Sequence, residues 1–344
     1  MVTELIKISQ PSLESEKIKQ IAKILTDGGL VAIPTETVYG LGALATDENA
    51  AKKIYAAKGR PSDNPLIIHV ADPRDAERYA YTNEYYYKLA AAFMPGPLTV
   101  ILPKKDTVPS AVTGGLDTVA IRCPSHKTAR AIIAECGVAI AAPSANLSGS
   151  PSPTTAEHVK NDMTGRIEAI VDGGPSEIGL ESTIVKLDGN KATLLRPGAV
   201  TFDALCCVCD KVEIAPAVTE ELLENERPLS PGMKYKHYAP SCPLVLLDGD
   251  DDCVLSFLQR RQNAEHCVIL CYDEEIESLR YERLIPVGPR DDLRAQAEKL
   301  FAALRLADTF DAEIIYAHLP KKDGIGLALY NRLIRAAAHT VKKI

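Results

Sequence analysis

Short apolar runs bounded by Gly and Pro alternate with longer amphipathic stretches, and the alternation occurs twice, on either side of an interruption near residues 213–240. No single motif constrains the fold as strongly. LVAIP (30–34) is too short for a helix and reads as a short buried strand. KIKQIAKILTDGG (17–29), just before it, has apolar residues at 18, 21, 24 and 25 and stops in Gly-Gly, the pattern of a helix with its terminator. DENAAKKIYAAKG (47–59) opens on a capping Asp and ends in Gly, so it too predicts a helix. LIIHV (66–70), LTVILPK (98–104), TVAIRCP (118–124) and VAIAAP (138–143) predict strands, with helical stretches near 84–94 and 125–136. EAIVDGG, STIVKLD and ATLLRPG carry the strand-rich region to residue 198. Strands with helices between them, some of them hairpin-like neighbours, predict an α/β fold with an open, twisted, mixed sheet.

The second alternation follows Pro240. PLVLLDGD, HCVILCYD, RLIPVGP and AEIIYAHLP read as strands, with helices near 251–263, 291–308 and 325–338. A smaller α/β unit of about 100 residues is of ordinary domain size. A chain of 344 residues therefore divides into a domain over 1–212, a connection over 213–240 and a domain over 241–344. The connection starts acidic and irregular and ends in SPGMKYKHYAP (230–240), with two Lys, a His and two Tyr in five residues between prolines. Plain linkers are Gly/Ser/Pro or charged spacers, so this one is expected to do more than join.

Composition removes some function classes. At 46% apolar and 25% charged residues the chain is ordinary for a soluble protein. Its apolar runs are too short to span a bilayer, so no membrane association is expected. The N-terminal segment has no basic stretch followed by an apolar one, so no secretory signal is expected. A formal charge of −7 argues against coating a nucleic acid but leaves room for a local basic pocket. Nine cysteines without framework spacing suggest reduced thiols and a cytoplasmic location. The C-x-x-C inside CCVC (206–209) has no second pair to close a zinc site, so no metal-ligating residues are assigned.

The polar chemistry gathers at strand ends. PTETVYGLG (34–42) sets Thr35, Glu36 and Thr37 after a strand, with Gly40 and Gly42 permitting close backbone approach. The chain has no Walker A loop. KGRPSDNPL (58–66) puts Lys58 and Arg60 on a Pro-stiffened loop. A point charge beside a planar fork suits phosphate oxygens. Both read as loop-exposed, so their loss should leave the fold intact. APSANLSGSPSPT (142–154) supplies Ser144, Asn146, Ser148, Ser150 and Ser152, neutral donors that suit a nucleotide or sugar. Arg122 ends one strand, Ser182 and Thr183 start another, and Arg196 ends a third. Four cations at loop ends of an acidic chain favour a small, highly anionic ligand. Without a defensible Ser-His-Asp order, H-E-x-x-H or carboxylate pair, the set fits phosphoryl or nucleotidyl transfer, where positioning and charge stabilisation dominate.

Taken in order, PTETVYGLG, KGRPSDNPL, TVAIRCP, APSANLSG-x-PSPT, ESTIVKL and LLRPG closely resemble the YrdC/Sua5 family across residues 15–200. SPGMKYKHYAP followed by a small α/β domain resembles the longer, two-domain Sua5 type. The resemblance implies a YrdC-like catalytic domain, a Rossmann-like C-terminal domain and an L-threonylcarbamoyladenylate synthase. Such an enzyme joins L-threonine, bicarbonate or CO2 and ATP into threonylcarbamoyl-AMP, with Mg2+ accompanying ATP and pyrophosphate leaving. Other proteins then carry the threonylcarbamoyl group to tRNA as t6A, so tRNA is a partner only indirectly or weakly. Carried over by position, Lys58 and Arg60 are the expected catalytic residues. Lys58, Arg60, Asn64, Thr118, Ser144, Asn146, Ser152, Arg196 and Tyr238 are expected ATP contacts, and Thr35, His69, Arg122, Ala142 and Ser182 line the threonine side. In the family the linker lies over the first domain's pocket, which gives KYKHY a purpose as a cover excluding water from a labile adenylate. The alternatives are a YrdC-related carbamoyltransferase, whose zinc fingers this chain lacks, and an RNA-binding module, which the acidic balance and lack of stacking platforms disfavour.

Overall fold

A computed structural model describes residues 1–220, 238–262 and 266–344. The core of the predicted linker cover, Lys234 to His237, lies outside the described residues. The chain forms two compact units. The first comprises Met1–Ser148, Ser152–Glu177 and Glu181–Lys234; the second comprises Gly149–Pro151, Ile178–Leu180 and Tyr235–Ile344.

The first unit is built on β1 (Glu4–Lys7), β2 (Val31–Ile33), β3 (Gly40–Leu44), β4 (Ile67–His69), β5 (Leu98–Pro103), β6 (Thr118–Arg122), β7 (Ile140–Ala141), β8 (Ala169–Asp172), β9 (Thr183–Asp188), β10 (Lys191–Arg196) and β11 (Lys211–Ile214). They form a mixed sheet in the order β1-β8-β2-β3-β7-β4-β6-β5-β9-β10-β11. Helix Ser15–Thr26 buries Ile18, Ile21, Ala22 and Leu25, a single stripe at three- and four-residue spacing. That stripe shares a core with Ile132 and Ile133 of helix Lys127–Cys136 and with Val31, Ile33 and Ile140 of the sheet. Helix Glu48–Lys58 is capped by the Asp47 side chain, which accepts from the N–H groups of Asn49 and Ala50, and it ends at left-handed Gly59.

PTETVYGLG is not wholly the loop that its glycines suggest, because Gly40 to Leu44 pairs antiparallel with β2 and β7. Tertiary packing overrides glycine's weak strand propensity here. A Cβ on Gly42 would sit 3.0 Å from Ile140 Cγ2 and 3.2 Å from the Val31 carbonyl. One on Gly40 would sit 3.2 Å from Ala142 Cβ. The glycines thus let three strands close up directly behind the Thr35–Thr37 turn. VAIAAP is shorter as a strand than expected, with only Ile140 and Ala141 in the ladder.

The second unit holds β12 (Leu244–Asp248), β13 (Cys267–Cys271), β14 (Leu284–Pro286), β15 (Ile314–His318) and β16 (Val341–Lys343), all paired parallel in the order β14-β13-β15-β12-β16. Helices Asp251–Arg261, Leu293–Ala307 and Gly326–Ala336 supply the crossovers that a parallel sheet requires. Among the described residues no helix is long and apolar enough to cross a membrane.

Candidate functional site

The site residues come from four strand ends and the loops that follow them. The pairing directions make β2 and β7 run opposite to β4 and β6. The carboxyl ends of these strands therefore do not form the single edge that a doubly wound sheet would offer. The turn after β2 nevertheless reaches the end of β6, where Glu36 Oε1 lies 2.8 Å from Arg122 Nη2. Both side chains are almost fully buried, at 4% and 5% exposure. Burial pushes the Glu36 carboxyl up, but the charge and contact of Arg122 more than offset this and hold it below the usual carboxylate range. Arg122 is the register partner of His69 on β4 and of Thr99 on β5, so the three side chains form one row across adjacent strands. Burial, reinforced by the Arg122 charge, pulls the His69 imidazole down to about 3, so it is neutral at physiological pH. Its Nδ1 lies 3.2 Å from the Ile67 carbonyl.

His69 carries a pH prediction. An unfolded histidine titrates near 6.5, while the folded one resists protonation until about 3. Between these values the unfolded chain binds a proton that the folded chain excludes. Stability therefore falls as pH drops through this window, by roughly 1.4 kcal/mol per pH unit from this group, and the loss is complete below it. Urea unfolding at pH 7.0 and 5.0 should show a smaller acid loss for His69→Gln than for the parent. An unchanged acid loss would remove His69 as its source.

Thr35 turns its hydroxyl inward, donating to the Val38 carbonyl at 2.6 Å and lying 2.9 Å from the Thr37 hydroxyl. Ser176 donates to the Thr35 carbonyl at 2.9 Å, which fixes the turn from the other side. Ala142 is buried beside Gly40 and donates its N–H to the Ile67 carbonyl at 2.9 Å.

Lys58 departs from the sequence expectation. It is the last residue of its helix and is buried rather than loop-exposed. Its ammonium donates to the Ser144 carbonyl and, at 2.5 Å, to the Asn146 carbonyl, so it ties down the turn after β7. Arg60 is half-buried and donates to the carbonyls of Asn64 and Pro65 at 3.2 and 3.1 Å. Asn64 is buried, and its Oδ1 has no hydrogen-bond partner among the described residues. Lys58, Arg60, Asn64, Ser144 and Asn146 thus meet through helix Glu48–Lys58 and the loops around it.

A third group joins β5, β9 and β10. The Ser182 hydroxyl lies 2.7 Å from that of Thr99 and accepts from Arg196 Nη2 at 3.2 Å, while Arg196 Nε donates to the Ser182 carbonyl at 3.0 Å. The Ser152 hydroxyl donates to Glu181 at 2.5 Å. Thr118 is half-buried at the start of β6. In the second unit the Tyr238 ring packs 5.2 Å from that of Phe301, and the Arg332 guanidinium lies 5.7 Å above it.

Sequence reasoning placed Glu36 among the polar groups at a strand end without naming its partner, and gave Thr99 and Glu181 no role. A carboxylate between two threonines just after a buried strand was a usable signal, because such a group needs a cation. Nothing local pointed to Thr99 or Glu181.

The chain matches two family models. Residues 23–198 match the Sua5/YciO/YrdC model, described as telomere recombination. Residues 200–338 match the C-terminal domain of threonylcarbamoyl-AMP synthase. The chain belongs to the Sua5/YrdC family. The threonylcarbamoyl-AMP synthase of Bacillus subtilis (strain 168) is 44% identical over 333 residues, spanning 96% of this chain and 95% of that one. The threonylcarbamoyl-AMP synthase of Pyrococcus abyssi is 44% identical over 339 residues, spanning 96% and 97%. Among solved structures, a doubly substituted P. abyssi Sua5 superposes with a TM-score of 0.92 at 40% identity, covering 100% of this chain and 98% of its own. P. abyssi Sua5 in complex with L-threonine gives 0.90 at 40% identity and full coverage of both chains. The six motifs thus sit on the fold of the two-domain Sua5 type.

Proposed function

We propose that this chain is an L-threonylcarbamoyladenylate synthase, a nucleotidyltransferase that makes threonylcarbamoyl-AMP and pyrophosphate from L-threonine, bicarbonate or CO2 and ATP. Its full-length likeness to threonylcarbamoyl-AMP synthases carries this reading. The arrangement of polar groups supports it. Arg122, Thr35, His69, Ala142 and Ser182 would bind threonine. Arg122 has the fork geometry for the carboxylate, and His69, being neutral, adds no competing charge. Lys58, Arg60, Asn64, Thr118, Ser144, Asn146, Ser152 and Arg196 would hold ATP.

The reaction takes two bond-forming steps. The threonine ammonium first gives up a proton to solvent; the free amine then adds to the CO2 carbon and loses a second proton, giving N-carboxy-threonine. An oxygen of that new carboxylate then bonds to the α-phosphorus while the bond to pyrophosphate breaks, and pyrophosphate leaves with the electron pair. Lys58 and Arg60 would stabilise charge on the phosphates as this happens, from positions already fixed by backbone carbonyls. Among the described residues no group of three or more His, Cys, Asp or Glu side chains is placed to hold a metal ion. Magnesium would arrive on the triphosphate, where it would neutralise phosphate charge. Tyr238 would add a further ATP contact. The product is a labile mixed anhydride, so a transferase must take it up for tRNA modification, and the cytoplasm suits that traffic.

The test is direct. The full chain, incubated with ATP, L-threonine and bicarbonate, should release pyrophosphate and yield threonylcarbamoyl-AMP by mass detection. Omitting threonine should abolish release, and degassing away CO2 should reduce it to background. Equal pyrophosphate release without threonine would reject the reading.

A further inference from the structure

The turn after β2 contributes a charge that the threonine pocket outlined above does not use. Glu36 is buried with Arg122, and the backbone of Glu36 and of Ser125 lies near enough to favour its charged form, but its Oε2 has no partner at hydrogen-bonding distance and angle among the described residues. Arg122 Nε likewise has none. A buried ion pair is a poor device for stability alone, since apolar residues of similar volume usually serve as well or better. Leaving an acceptor on one partner and a donor on the other unmet adds to the cost. The pair is thus incomplete as a structural element, and it lies in the row that includes His69 and Thr99.

An α-amino acid completes it. Its carboxylate needs a cation with spare donors, which Arg122 offers, and its ammonium needs an acceptor with spare capacity, which Glu36 Oε2 offers. We propose that Glu36 reads the amino group of the bound amino acid, so that Glu36 and Arg122 together select a zwitterion. This rests on the threonine reading above. Four charges alternating in sign then share a small buried volume and nearly cancel. A hydroxy acid without the amine would bring its carboxylate toward Glu36 with nothing to offset it, so the pocket discriminates against it. Besides Arg122, the ionisable groups that feel Glu36 are His69 and His126, which burial holds low and therefore neutral, and the Cys123 thiol, which burial pushes up to about 12 and so keeps uncharged. Glu36 alone supplies the negative charge of this corner. The selected group carries the atom that must react: once the ammonium has lost a proton, the nitrogen held by Glu36 is the one that captures CO2.

Calorimetric binding to the full chain, without ATP, separates the possibilities. The probes are L-threonine and (R)-3-hydroxybutanoate, the same molecule without its amine. The parent protein should prefer threonine by about 10–100-fold, the scale of one hydrogen bond to a charged group. Glu36→Gln should weaken threonine by that factor and leave the hydroxy acid unchanged or tighter, so the preference collapses. If Glu36 only orients Arg122, both ligands weaken equally and the proposal is overturned. Equal affinity of the parent for both ligands also overturns it. Should Glu36→Gln fail to fold, Glu36→Asp keeps the charge but shortens its reach, and it should weaken threonine selectively. Equal weakening by Glu36→Asp counts against the proposal. A parent that does not bind threonine at all refutes the functional reading instead.

Discussion

Replacing Lys58 or Arg60 by Ala is expected to lower kcat/KM for pyrophosphate release by about 10²-fold or more, the scale of losing one transition-state donor. The two variants should differ in stability. Lys58 holds the carbonyls of Ser144 and Asn146 from a buried position, so Lys58→Ala strands two acceptors as well as removing a cation. A loss of about 1–3 kcal/mol should accompany the kinetic defect. Arg60 is half-buried and bonds to the carbonyls of its own loop, so Arg60→Ala should cost less. Urea midpoints measured beside steady-state rates check both halves. L-Threonine binding is the control for folding. It should persist in both variants if the defect lies on the phosphate side. Near-parental turnover in both would reject the phosphate role, however stable they prove.

This pair also shows where the sequence was readable. The helix ending at Lys58 announces itself by its capping Asp47 and terminal Gly59, and the observed span is Glu48–Lys58. Strands β5, β6, β13 and β15 fall inside LTVILPK, TVAIRCP, HCVILCYD and AEIIYAHLP. These elements are legible because their periodicity and stop signals act within a few residues. Strand β3 is not, because GLGAL has poor intrinsic strand character and is held by neighbours on both sides. The burial of Lys58 is not legible either. Its partners lie 86 and 88 residues away along the chain, and only the ladder of β7 beside β3 and β4 brings them in. The same holds for Glu36 and Arg122, which are remote in sequence. The motifs named most of the polar residues of the site, but not which of them neutralise one another. For Tyr238 the composition of KYKHY suggests a ligand contact, and what the sequence does not show is the ring's apolar neighbour Phe301 in the second unit.

Arg122→Met should damage the fold of the first unit severely. It removes the cation beside Glu36 and leaves a carboxylate buried without compensation. Breaking one side of such a pair typically costs about 3–5 kcal/mol. The cost should depend on pH in a way that a simple packing defect would not. In the parent, Arg122 holds the Glu36 carboxyl below its usual range. This group therefore contributes stability above the unfolded carboxylate range that is lost as the pH falls through its lowered folded value. With Arg122 gone, burial, the largest influence, is opposed only by the backbone of Glu36 and Ser125 and pushes the carboxyl up. The folded variant then holds a proton that the unfolded chain releases, so its stability falls as pH rises above about 4.3, the ordinary glutamate value. The difference between parent and variant should therefore widen from pH 5 to pH 8. Adding Glu36→Gln to Arg122→Met should recover most of the stability and remove the widening, because no charge remains to be buried. It should not recover threonine binding, since both groups that meet the zwitterion are then absent. Denaturant unfolding of the parent, both single variants and the double at the two pH values gives the complete cycle. Additive effects with no pH dependence would mean that the Glu36–Arg122 contact contributes nothing to the fold.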